Sequence, residues 1–166
     1  MRASPYFGLG SNLGSKTTNL RLAVTALSGL GTIAAVSPLY STEPVGYAGQ
    51  DWFLNACVAL ETDLAVDQLL TAIAGIEASL GRERTIPNGP RSIDIDLLFY
   101  DDLVVDIADL TVPHPRLHER RFVLEPLAAI APKLVHPCLG KTIAELLAGI
   151  LAAPAVQLAQ DGEWWR

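Results

Sequence analysis

Only two cysteines, Cys57 and Cys138, occur in 166 residues, and they lie far apart. Neither a disulfide framework nor a metal-ligand spacing can be built from them, so reduced thiols in a cytoplasmic setting are expected. No apolar run follows Met1 in the manner of a signal peptide. The longest greasy stretch, Ile143 to Val156, is broken by Glu145 and Pro154 and is too short to span a bilayer. Internal repeats and low-complexity segments are absent. Basic residues are few, with Lys+Arg 12 against Asp+Glu 18 and a net charge of -6. That balance excludes broad non-specific binding to nucleic acid. What remains is 50% hydrophobic, with a mean hydropathy of +0.31. A chain of this length buries roughly 70% of its unfolded surface, which suits one domain over residues 1–166.

The basic residues are also unevenly placed. None lies between Arg21 and Arg82, whereas Arg82, Arg84, Arg91, Arg116, Arg120 and Arg121 follow within forty positions. All six are arginine, whose planar fork suits carboxylate or phosphate bidentately. A solvated surface paired with acidic neighbours would explain them equally well, so their company has to decide.

Tyr6 and Phe7 begin a short strand that ends in the glycine cluster Gly8-Leu9-Gly10-Ser11-Asn12-Leu13-Gly14. Leu20, Val24, Leu27 and Leu30 recur at helical spacing, and Gly29 and Gly31 close that helix. Thr32 to Tyr40 is β-branched and apolar, a strand with Pro38 at an edge or bulge. Residues 43–52 read as a long loop. In the strand Phe53 to Glu61, Leu54, Ala56, Val58 and Leu60 share a core face, while Phe53, Asn55 and Cys57 point the other way. Val66, Leu69, Leu70, Ile73, Ile76 and Leu80 form a second amphipathic helix, stopped by Gly81.

Residues 82–91 form a polar loop that feeds the strand Ser92 to Tyr100. Asp101 and Asp102 turn the chain towards a short strand at Leu103 to Val105. The last third is helical near 120–130 and 141–151. This order predicts an α+β, ferredoxin-like plan: an antiparallel sheet with helices packed on one face and an open ligand face.

The glycine cluster is not a dinucleotide fingerprint, since its spacing is G-x-G-x-x-x-G and no βαβ unit follows. Nor does it end in the Gly-Lys-Ser/Thr of a P-loop, so it reads as a tight strand-to-helix turn. Asp94-Ile95-Asp96 says more. Residues two apart on a strand share a face, about 7 Å apart at Cα, while Ile93, Ile95, Leu97 and Phe99 fill the core face. Two adjacent carboxylates repel unless a cation intervenes, and a pair with few other ligands suits Mg²⁺, which retains waters and recruits phosphates. Alone, the pair could equally be solvated acids on an exposed face.

Arg82, Arg84 and Arg91 in the preceding loop change the balance. Metal-binding carboxylates beside loop arginines are what polyphosphate transfer requires: charge, clamping and a lid against water. Phe53 and Asn55, two residues apart, could stack on and hydrogen-bond a planar heterocycle, although a lone Phe is more often core. His114, in the stiff Val112-Pro113-His114-Pro115-Arg116 turn, is either a structural hydrogen-bonder or a phosphate or ribose contact.

Taken together, the blocks 8–14, 40–46, 53–56, 89–98 and 112–124 resemble the 6-hydroxymethyl-7,8-dihydropterin pyrophosphokinase family nearly end to end. The G-P-R-x-x-D-x-D signature, Gly89 to Asp96, is the most specific of them. The resemblance implies transfer of pyrophosphate from ATP to the dihydropterin hydroxymethyl group, releasing AMP, in folate biosynthesis. It implies two Mg²⁺ ions held by Asp94 and Asp96, with Arg82 and Arg91 joining that pair as catalytic groups.

On the same ground, Thr42, Pro44, Val45, Gly46, Phe53, Asn55, Asp94 and Phe122 would bind the pterin. ATP would meet Leu70, Glu77, Arg84, Arg91, Leu97, Thr111, His114 and Arg120. The partners would be these small molecules alone, with no nucleic acid and no membrane, and the chain would work as a monomer. Ala74, Asn88 and Asp109 depart from the family's usual residues. Two rival classes share part of this pattern: a D-x-D nucleotidyl- or glycosyltransferase, and a non-catalytic ferredoxin-like binding module.

Overall fold

A computed structural model of the chain describes residues 2–44, 49–81, 92–150 and 155–166. Strand β1 (Pro5–Ser11) is followed by helix α1 (Lys16–Ser28), then β2 (Thr32–Val36), β3 (Leu39–Thr42) and β4 (Phe53–Glu61). Helix α2 (Val66–Ser79) leads to β5 (Asp94–Tyr100) and the hairpin β6 (Val105–Ile107) and β7 (Leu110–Val112). A 3₁₀ turn at Leu117–Glu119, helices α3 (Arg121–Ile130) and α4 (Ile143–Ala148), and strand β8 (Val156–Gln160) complete the chain. The main sheet is antiparallel in the order β5-β1-β4-β3-β8, with β2 also pairing to β4. The α+β class and the antiparallel sheet are therefore as expected.

Helices α1 and α2 cover one face. Leu20, Val24 and Leu27 of α1 and Leu69 and Ile73 of α2 pack on Phe7, Leu9, Val58, Leu60, Ile95 and Leu97. Full burial of each such side chain contributes roughly 1.5–3 kcal/mol. The opposite face is only half open, because α3 and α4 pack there through Leu124, Leu127, Ile143 and Leu146 on Cys57, Leu98 and Phe99. Phe99 departs from its expected core face. The β1–β5 register shifts between Tyr6 and Phe7, so that Tyr6 pairs with Phe99 and Phe7 with Leu97. A bulge of this kind reverses side-chain alternation beyond it. Phe99 accordingly stacks edge-on with Tyr6 and His136.

The expected strand Thr32 to Tyr40 is divided at Ser37 and Pro38. Pro38 cannot donate to a ladder, and Ser37 holds the break in place. Its backbone N–H donates to the Cys57 carbonyl at 2.9 Å, and its hydroxyl accepts the Cys57 N–H at 2.8 Å. The Ser37 carbonyl accepts the indole N–H of the buried Trp164 at 2.8 Å.

Candidate active site

β1 carries the centre of the site. Gly8 pairs with Cys57 on one side and Asp96 on the other, and Gly10 pairs with Asn55 and Asp94. Two rows, Asn55-Gly10-Asp94 and Cys57-Gly8-Asp96, thus cross three strands on one face of the sheet. The glycines lie inside the strand, not in the turn expected for them; the turn comes later, at Gly14 with φ 70°. A Cβ on Gly10 would lie 2.8 Å from Asn55 Nδ2 and 3.6 Å from the Phe53 ring. The bare backbone leaves a flat floor between an amide and a carboxylate.

Above that floor is a cleft of about 320 Å³, within the ordinary size of a small-molecule site. It gathers Thr42, Pro44, Phe53, Asn55, Asp94, Asp96, Arg120 and Phe122 of the expected site residues. Glu43, Cys57, Arg116 and Glu119 also line it. Residue type alone did not mark these additions. The register did for Cys57, which continues the Phe53, Asn55 face of β4.

Asn55 is fixed by its neighbours. The Thr42 hydroxyl donates to its Oδ1 at 2.5 Å, and its Nδ2 donates to the Leu9 carbonyl at 3.2 Å. An amide has two N–H donors and two oxygen lone pairs, so one of each is left to read a ligand edge. Arg120 places its guanidinium 5.5 Å from the centre of the Phe122 ring, a cation–π distance. Cys57 is buried, and that burial pushes its thiol pKa up, so it is an inert wall rather than a nucleophile.

Among the described residues, the other expected ones lie outside the cleft. Leu70 and Leu97 pack in the core beneath the sheet. Glu77 accepts the Ile95 backbone N–H at 2.9 Å, and Thr111 donates to Asp106 at 3.3 Å. His114 Nδ1 accepts the Arg116 backbone N–H at 3.2 Å. Burial, then Arg120 and Arg116, lower the His114 pKa to about 4, so the ring is neutral at pH 7 and presents Nε2–H as a donor. Val45, Gly46, Arg82, Arg84 and Arg91 lie outside the described residues.

Residues 50–52 are tied to the segment that follows β1. Asn12 Nδ2 donates to Gln50 Oε1 at 2.7 Å and to the Asp51 carbonyl at 3.1 Å, and Lys16 Nζ donates to the Trp52 carbonyl at 2.8 Å.

A flat floor, a fixed amide, flanking phenyl rings, paired carboxylates and cleft arginines describe a site for a planar heterocycle beside a polyanion. Comparison with known proteins specifies it. Residues 6–132 match the family described as 7,8-dihydro-6-hydroxymethylpterin-pyrophosphokinase. The chain is 48% identical over 145 residues to 2-amino-4-hydroxy-6-hydroxymethyldihydropteridine pyrophosphokinase of Methylorubrum extorquens, covering 86% of this chain and 90% of that protein. The Bacillus subtilis protein of the same name is 44% identical over 131 residues, covering 78% of each. Folic acid synthesis protein fol1 of Schizosaccharomyces pombe is 43% identical over 144 residues, 86% of this chain but only 20% of that much longer protein.

A crystal structure of wild-type Plasmodium falciparum HPPK-DHPS with STZ-DHP has the same fold. Its TM-score is 0.74 at 17% identity, over 89% of this chain and 43% of that one. The chain belongs to the hydroxymethyldihydropterin pyrophosphokinase family, whose reaction transfers pyrophosphate from ATP to 6-hydroxymethyl-7,8-dihydropterin in folate biosynthesis. Among the described residues, no helix is long and apolar enough to cross a membrane.

Proposed function

We propose that the transfer runs across the Asn55-Gly10-Asp94 row, with the pterin over Gly10 and the phosphates over Asp94 and Asp96. The observation that carries this reading is the register that sets a fixed amide and a carboxylate on either side of a glycine. Phe53 and Phe122 flank the ring, Asn55 reads its edge, and Thr42, Pro44, Val45 and Gly46 complete the wall. Arg82, Arg84 and Arg91, as the family resemblance implies, clamp the phosphates. Leu70, Glu77, Leu97, Thr111, His114 and Arg120 serve the nucleotide.

Among the described residues, no group of three or more His, Cys, Asp or Glu side chains forms a metal cage. A carboxylate pair is nevertheless the donor set Mg²⁺ uses when phosphates and waters complete its shell. Asp94 and Asp96 therefore fit two such ions. When bound, Mg²⁺ supplies charge neutralisation and in-line alignment of the oxygens. The chain's own residues hold the pterin hydroxymethyl group in place and exclude water.

Residues 1–166 act as one domain, as a monomer and in the cytoplasm. Asp96 is exposed, so Asp96→Ala should fold normally while losing turnover. Retention of more than about a tenth of wild-type kcat, a loss under 1.4 kcal/mol, would remove it from the reaction.

A further inference from the structure

Every described arginine but one is engaged through its side chain. Arg2 pairs with Glu61, Arg121 with Glu125 and Arg166 with Glu163. The Arg21 guanidinium donates to the Trp164 carbonyl, and Arg120 lies over Phe122. The exception is Arg116, whose guanidinium makes no hydrogen bond, ion pair or ring contact among the described residues. Its backbone, by contrast, is held at both ends. The Arg116 N–H donates to His114 Nδ1 at 3.2 Å, and its carbonyl accepts the Glu119 N–H at 3.0 Å. Leu117, fully buried next to it, anchors the turn in the core. A pinned backbone therefore presents an unengaged guanidinium to the wall of the cleft that holds Asp94, Asp96, Asn55 and Phe122.

We propose that Arg116 is a further phosphate-binding residue, and that it takes the diphosphate portion of ATP that is transferred. The inference rests on the reading of the cleft given above. Its chemistry is that of the guanidinium fork, which matches two phosphate oxygens at once and stays charged at every working pH. Its choice of phosphates follows from placement. Leu70, Leu97, Glu77 and Thr111, four of the residues assigned to the nucleotide by resemblance, lie outside the cleft, whereas Arg120, another of them, lines it. Arg116, an exposed residue, lines it together with the ring-binding residues and the paired carboxylates. The group that must reach both is the one that passes from nucleotide to pterin.

The test compares Arg116→Ala and Arg116→Lys with the wild type for binding of a non-hydrolysable ATP analogue, AMP and 6-hydroxymethylpterin. Arg116→Ala should weaken the ATP analogue about tenfold, equivalent to 1.4 kcal/mol. AMP and pterin affinities should stay within about twofold, and Arg116→Lys should recover part of the loss because it keeps the charge without the fork. An unchanged unfolding midpoint in both variants accompanies that result. ATP-analogue affinity within about twofold of wild type would overturn the assignment, as would an equal loss for AMP. These are binding measurements, so a wild-type protein that released no AMP would refute the transfer reading and leave the Arg116 result readable by itself.

Discussion

The Glu77 carboxylate accepts the backbone N–H of Ile95 at 2.9 Å, so the residue between Asp94 and Asp96 is held from behind by helix α2. β5 is an edge strand, and an edge leaves backbone donors without a ladder partner. Glu77 covers one of them at the point where the paired carboxylates need a fixed spacing. Glu77→Ala should cost about 1.5–3 kcal/mol, the range for hydrogen bonds to charged groups, and should lower kcat several-fold. Glu77→Gln, which keeps an acceptor, should recover most of both. Paired denaturation and kinetic measurements on the two variants check this, and equal behaviour of Ala and Gln would contradict it.

Gly10 should be intolerant of any side chain. A methyl group there lies 2.8 Å from Asn55 Nδ2, and Asn55 cannot yield without losing Thr42 or Leu9. Gly10→Ala is expected to raise the pterin Kd by at least about tenfold, 1.4 kcal/mol, while ATP-analogue affinity changes little. Calorimetric titration with each ligand separates the two effects.

Stability should fall as pH drops from 6.5 to 4. His114 is held neutral in the folded state with its pKa lowered to about 4, from an ordinary 6.5. Unfolded protein binds the extra proton within that window, so acid favours unfolding there. Burial also lowers the His136 pKa and adds in the same direction. Discounting for partial exposure, His114 contributes on the order of 1–2 kcal/mol across the window. Urea midpoints for wild type and His114→Gln at pH 7 and pH 4.5 check it: the variant should show the shallower pH dependence.

The C-terminal Trp164 should be worth more than its distance from the cleft suggests. It is 1% exposed, and its indole N–H satisfies the Ser37 carbonyl at the break between β2 and β3. Trp164→Ala should cost about 3–5 kcal/mol. Trp164→Phe should cost about 1–3 kcal/mol, since it keeps the ring but leaves a buried acceptor unsatisfied. Chemical denaturation of the two variants gives the difference directly.

Much of this was legible in the sequence because the relevant patterns are local. Period-two alternation placed Phe53, Asn55 and Cys57 on one face, and helical spacing found α1 and α2 with Gly81, φ 80°, after the second. What stayed hidden depends on pairing between distant strands. Gly8 and Gly10 looked like turn residues because a glycine in a central strand gains its meaning only from what lies opposite it. The bulge that turns Phe99 to the other face has no sequence mark, and β8, largely exposed from Gln157 to Gln160, lacks the apolar alternation of a buried strand. The cleft roles of Arg116 and Glu119 required the turn before α3 to be seen against the sheet.

Pyrophosphoryl transfer across the Asn55-Gly10-Asp94 row is tested by a nucleotide-product assay. Folded protein is incubated with ATP, Mg²⁺ and 6-hydroxymethyl-7,8-dihydropterin, and AMP and ADP are quantified with and without pterin. AMP should form only with pterin, in an amount matching the dihydropterin consumed, and should be lost when Mg²⁺ is chelated. ADP in place of AMP would contradict it, as would the absence of any nucleotide product from folded, magnesium-loaded protein.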